Sequence, residues 1–224
     1  MNCINKKKEN IILAFLMLSV FFINIRHLGQ IGIFTVLDDE FGYWSVAAFL
    51  HGLDWSSIVS QISYYSYGYS ILLAPLFWIF DNPYIMYKAA LIMNGIMSSA
   101  SFWLCYDTSR KIMNETHKYI LLGISFLIAM YPTYVATSSI AWCESLLILV
   151  CWLLTWCFSS LNEKSSTGRF VLVGVLTVYI YMVHQRSIGI LIASVSVILI
   201  MKAFNKINWK QFWLFTIPFI ILIL

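Results

Sequence analysis

The chain keeps returning to apolar runs long enough to enter a lipid bilayer, and that recurrence limits its fold more than any motif does. The runs cover Asn10 to Leu28, Pro83 to Tyr106, Lys118 to Tyr134, Ala141 to Ser160, Phe170 to Val183, Ile188 to Ala203, and Gln211 to the C-terminus. A hydrocarbon core of about 30 Å takes about 20 residues of helix to cross, and in lipid a spanning segment must satisfy its own backbone. The chain is therefore predicted to be all-α, a polytopic membrane protein with about seven transmembrane helices. Composition closes the soluble alternative: 61% of the 224 residues are hydrophobic and 11% are charged, against about 25% charged in soluble domains. Disordered, collagen-like, disulfide-scaffold and nucleic-acid-binding classes are excluded with it.

Charge placement orients the bundle. Tyr69 to Phe80 is too short to cross and reads as a juxtamembrane or half-inserted helix. With that segment outside and the N-terminus cytosolic, eleven of the fourteen bases face the cytosol, and only Arg26, Lys88 and Arg186 face out. That bias is the one that orients short-loop membrane proteins. It predicts a multi-pass plasma-membrane protein with its working face extracytoplasmic, and it places the sequon Asn114-Glu115-Thr116 in the cytosol. Lys6-Lys7-Lys8 before the run Ile11 to Ile25 resembles a signal peptide without a small-residue cleavage site, so it reads as an uncleaved signal anchor. The net charge of +4 thus reflects topology, not a nucleic-acid partner. Cys105, Cys143, Cys151 and Cys157 lie in apolar stretches without metal spacing and read as packing residues.

The same sorting leaves Asp38, Asp39, Glu40, Asp54, Asp81 and Glu144 outside. A non-spanning loop of about residues 29–82 joins the first two spans within a single 1–224 module. Its aromatic density suits an interfacial helix. The expected order is a helix from Glu40 to His51, a break at Gly52 and a second helical stretch from Trp55 to Ile62. Asp38-Asp39-Glu40 can hold one carboxylate as a base, or Asp38 and Asp39 can hold a divalent metal through oxygen ligands; the same acids also suit a helix N-terminus. Glu144 opens the fourth span. His184-Gln185-Arg186-Ser187 interrupts the apolar run, and Arg186, against the positive-inside bias, calls for an anionic partner such as a phosphate. Lys88, one turn into the second span, snorkels or meets substrate. Gly95 and Ser99 have the spacing of closely packed membrane helices.

In their order along the chain these residues resemble the GT-C superfamily of polyprenyl-phosphate-sugar-dependent glycosyltransferases, in the branch of aminoarabinose transferase and the protein O-mannosyltransferases. The features that carry the resemblance are a signal-anchor span, then Asp39-Glu40-Phe41-Gly42-Tyr43-Trp44 running to His51, then the aromatic segment Tyr64-Tyr65-Ser66-Tyr67-Gly68-Tyr69. An acid follows at Glu144 before Ser145-Leu146-Leu147, and last comes His184-Gln185-Arg186-Ser187-Ile188-Gly189. The resemblance implies an inverting transferase on the outer face, with Asp39 as base and Glu40 and Glu144 orienting the reactants. Asp38, Tyr67, Lys88, His184 and Arg186 would bind substrate. No cofactor is implied beyond that divalent metal. The partners implied are a polyprenyl-phosphate-linked sugar, a glycan, lipid or protein acceptor, and the bilayer. Family members are usually longer, so the chain is expected to be the N-terminal membrane module. The alternative is a non-catalytic subunit that binds lipid-linked sugar or pairs with a partner polypeptide.

Overall fold

The computed structural model describes residues 2–30, 38–57, 65–113, 117–161 and 167–223, and every regular element among them is a helix. Helix α1 runs Asn2–Ile25, α2 Asp38–Leu50, α3 Tyr67–Leu73, α4 Leu76–Ile79 and α5 Pro83–Ile112. They are followed by α6 Lys118–Ala129, α7 Pro132–Ser138, α8 Glu144–Ser159, α9 Thr167–Val183, a 3-10 turn Gln185–Ser187, α10 Ile188–Ala203 and α11 Trp209–Ile223. Each expected apolar run is helical, but the number of spans is corrected. Among the described residues, three helices are long and apolar enough to cross a membrane (Lys7–Ile25, Pro83–Ile112 and Gln185–Ala203), and a fourth if α6 and α7 count as one bent span. Seven spans are not supported. The 16 residues of α8 rise about 24 Å at about 1.5 Å each, short of a core of about 30 Å.

The expected span Lys118 to Tyr134 is two helices bent by 55°. Pro132 is the cause. It disfavours helical backbone in the residue before it, and Tyr131 duly adopts φ −57°, ψ 128° before α7 restarts on the proline.

Helix α5, with 30 residues, is the central strut, packed by α1, α6 and α8; α9 packs on α8, α3, α10 and α11. Small residues set two of the close crossings. A Cβ on Gly95 would lie 2.7 Å from Ile25 of α1, and one on Gly174 would lie 2.3 Å from the Phe215 carbonyl of α11. The Ser99 hydroxyl donates to the Met17 carbonyl at 2.8 Å, so Gly95 and Ser99 form the close-packing pair their spacing predicts.

The loop between α1 and α5 begins as expected. The three acids occupy the first turn of α2, and Gly52 ends that segment with φ +90°, a conformation that glycine adopts without steric cost. Trp55 to Ser57 form no helix, and the rest of the expected second stretch, like the sequon at 114–116, lies outside the described residues. Tyr69 to Phe80 is the short pair α3–α4.

Candidate functional site

One end of the bundle is organised around the start of α2. Its three acids part company there, because successive residues point about 100° apart around a helix. Asp38 and Asp39 are exposed, whereas Glu40 is fully buried. The Glu40 carboxylate accepts from the Tyr87 hydroxyl of α5 at 2.5 Å and from the Ala141 backbone N–H at 3.0 Å. Glu40 thereby ties α2 to the segment that leads into α8. Since Glu40 turns inward, the acidic triplet is no three-carboxylate cup, and among the described residues no three His, Cys, Asp or Glu side chains gather to hold a metal ion.

A buried polar chain fixes the same segment from the other side. Tyr69 of α3 donates to the Asn94 side-chain oxygen at 3.0 Å, and the Asn94 amide donates to the Ile140 carbonyl at 2.7 Å. Ser138 in turn donates to Asn24 of α1. Polar side chains at this depth are costly unless paired, and here each pairing anchors residues 138–141. Glu144, three residues further on, is held at the head of α8.

Around it the expected site residues come together in part. Asp39 acts electrostatically on Glu144, on the Tyr43 phenol and on His184, and the Arg186 guanidinium acts on both Glu144 and His184. Two acids, a cation and an imidazole from α2, α8 and the α9–α10 junction therefore share one field. Burial, reinforced by Arg186, pushes the His184 pKa below its usual 6.5, so the ring is neutral at pH 7. Burial also raises the Tyr43 phenol, with Cys143, Glu144 and Asp39 adding to it. The Tyr43 hydroxyl donates to the Cys143 sulfur at 3.0 Å, and the Cys143 thiol is pushed up to about 12, by burial first and then by Glu144. Tyr67, exposed at the start of α3, is carried toward the α9–α10 junction by the next residue. Gly68 abuts the Val183 backbone so closely that a Cβ would meet it at 2.6 Å, and its carbonyl accepts from the Tyr179 hydroxyl at 2.8 Å.

Lys88 is not part of this grouping. Its ammonium sits 4.0 Å from the Tyr84 ring centroid on its own helix, and it is not among the charges acting on Glu144. Asp38 faces solvent, and its backbone carbonyl accepts from Tyr65 at 3.3 Å.

Three neighbours of the site were given no place in it by the sequence: Tyr43, which stood in the Asp39–Trp44 motif without a role, Cys143, which read as a packing residue, and Asn94. Only Asn94 carried a signal, as a lone amide in the apolar middle of α5. Beside the cluster, the Leu146, Leu149, Val150 and Leu153 face of α8 lines an open apolar groove of about 440 Å³ with residues of α3, α5 and α9. Comparison with known proteins finds no family model that matches the chain and no curated protein similar to it.

Proposed function

We propose that this chain is the membrane module of an inverting glycosyltransferase that draws its sugar from a polyprenyl-phosphate donor. The observation that carries the reading is the shared field of Asp39, Glu144, His184 and Arg186 at one end of the bundle, with an apolar groove beginning one turn below Glu144. An amphiphilic donor needs that pairing: the prenyl chain stays in the groove while its phosphate and sugar reach the charged end.

In this reading Asp39 takes the proton of the acceptor hydroxyl as that oxygen attacks the anomeric carbon. The bond from that carbon to the phosphate oxygen breaks, and polyprenyl phosphate departs with the electron pair. Arg186 meets the phosphate oxygens, where charge grows as the bond breaks. Glu144 orients the acceptor, with Tyr67 and neutral His184 at the rim. Glu40, buried and bonded on both sides, is a positioning residue. Lys88 has no part in the step. We take this end to be extracytoplasmic, the side that the positive-inside sorting of the sequence expects.

The test is sugar transfer in proteoliposomes, run with a panel of polyprenyl-phosphate sugars against wild type, Asp39→Asn and Arg186→Ala. The expected loss for Asp39→Asn is about 10²- to 10⁴-fold. Equal turnover by wild type and Asp39→Asn removes Asp39 from the role. Donor binding without turnover by wild type favours the non-catalytic subunit instead.

A further inference from the structure

Helix α10 starts beside Arg186 and carries the chain to the other end of the bundle, where its turn into α11 borders an open pocket of about 440 Å³. Lys202 and Lys206 line it, with Trp209 and the amides Asn205, Asn208 and Gln211, and Lys210 lies exposed in the first turn of α11. In the sequence these lysines mark topology, but a topology signal needs only charge, not a shaped receptacle. Here both helix ends are closed by their own residues. Asn205 adopts φ +54°, and its N–H and that of Lys206 donate back to the Lys202 and Met201 carbonyls at 3.0 and 2.9 Å, the paired closure that ends a helix in the left-handed region. Asn208 and Gln211 then cap α11 reciprocally, each side-chain oxygen accepting from the other's backbone N–H at 2.9 Å. Those bonds occupy the two oxygens, so what these amides have left for a ligand is N–H donors. The Lys202 ammonium is held 4.3 Å from the Trp209 ring centroid.

The positive charge has no answer nearby in the chain. From residue 164 onward the sequence holds six bases, Lys164, Arg169, Arg186, Lys202, Lys206 and Lys210, and no acid. The ion pairs among the described residues, on Glu9 and Asp107, use none of the three turn lysines. A guest must therefore be an anion whose oxygens accept from ammonium and amide groups, and the start of α11 adds the positive end of a helix dipole. The surroundings say where that anion comes from. Gln185–Ala203 is long and apolar enough to cross a membrane, so its end lies at headgroup depth. Phe204, Trp209 and Trp213 are exposed there, as interfacial aromatics are, and Ile200 and Ile217 expose apolar surface further along α10 and α11. A soluble anion would use the lysines alone, whereas a lipid uses the lysines and the apolar flanks together.

We propose that the α10–α11 turn binds the headgroup of an anionic phospholipid of the phosphatidylglycerol type. Lys202, Lys206 and Lys210 meet its phosphate charge, and its acyl chains lie along the exposed apolar sides of α10 and α11. This site is independent of the sugar-transfer reading.

The test uses the full chain in neutral detergent micelles and a phosphatidylglycerol carrying a diazirine on one acyl chain. Crosslinks are expected on the peptides that span the α10–α11 turn. Unlabelled phosphatidylglycerol should compete them away; phosphatidylcholine, soluble glycerol phosphate and a soluble acidic peptide should not. The double variant Lys206→Gln, Lys210→Gln should weaken binding about 25-fold, about fivefold for each lysine. The double variant Lys7→Gln, Lys8→Gln removes the same charge from another exposed pair and should leave binding at the turn unchanged. All four side chains are exposed, so both variants should keep the fold. The proposal is overturned if phosphatidylcholine competes equally, if the turn variant labels like wild type, or if the Lys7 and Lys8 variant loses as much. Equal competition by glycerol phosphate or by the acidic peptide also overturns it, the first assigning the turn to a free phosphate and the second to an acidic protein partner.

Discussion

Glu9 and Asp39 stand at opposite ends of the strut α5, and their surroundings differ in kind. Glu9 is 5% exposed and is held by the Tyr106 hydroxyl at 2.9 Å, by Arg110 at 2.7 Å and by Lys118 at 2.8 Å. That carboxylate binds α1, α5 and α6 together, its charge met by two cations. Asp39 is exposed and shares its field with a second acid and a single cation. A neutralised, enclosed carboxylate is architecture, whereas an open one beside another acid and an imidazole is free of that duty, which is why the proposed reading gives it the base's role.

Substitutions can break that contrast, and the largest expected effect is functional. Asp39→Asn should cut sugar transfer by about 10²- to 10⁴-fold while moving stability by no more than about 0.5 kcal/mol, as exposed sites do; a thermal melt beside the transfer assay separates the two. Glu9→Ala should do the reverse. Leaving Arg110 and Lys118 without their shared anion should cost about 3 kcal/mol, seen as a fall in the melting midpoint of detergent-solubilised protein. Glu40 tests whether the Asp39 end has a structural acid of its own. Glu40→Ala should cost about 2 kcal/mol through the two buried hydrogen bonds, from the Tyr87 hydroxyl and the Ala141 N–H, that it removes. Glu40→Gln keeps an acceptor for both and should lose much less. Gly68→Ala should cost about 1 kcal/mol or more, because the added Cβ meets the Val183 backbone, which cannot rotate aside.

The smallest effect concerns pH. Burial lowers the folded-state pKa of His184, so the unfolded chain binds the proton more readily. Stability is therefore full above the usual value of 6.5 and declines as pH falls below it. His184→Gln should flatten that acid slope in a melting series between pH 7 and pH 5; an unchanged slope assigns the titration elsewhere.

The sequence carried the helices well because their apolar runs are continuous, and it carried the turn at Gly52 and the Gly95–Ser99 crossing because small residues have few other uses in lipid. It overcounted spans because hydropathy marks where a helix is apolar, not where its capping residues end it. Pro132 was visible, but its consequence for Tyr131 is a backbone effect that hydropathy does not register. At the site, Asp39, Glu144 and Arg186 stood out as scarce charges on one side. Glu40 could not be told from its neighbours, since only the helix start decides which of three adjacent acids points inward. Glu9 was missed for a related reason: among Lys6, Lys7 and Lys8 it looked like part of a charged tail, and its partners at Arg110 and Lys118 served only as topology markers.

Glu40 also carries a consequence for biogenesis. Its acceptor role is completed by a backbone N–H that lies 101 residues later in the chain. At a synthesis rate of about 5–20 residues per second, the ribosome needs about 5–20 s to make that partner after Glu40 itself. For that interval the nascent protein carries a carboxylate at the membrane boundary whose final seat does not yet exist. The end that bears Asp39 and Glu144 is thus assembled late, when the head of α8 arrives and Glu40 closes onto it.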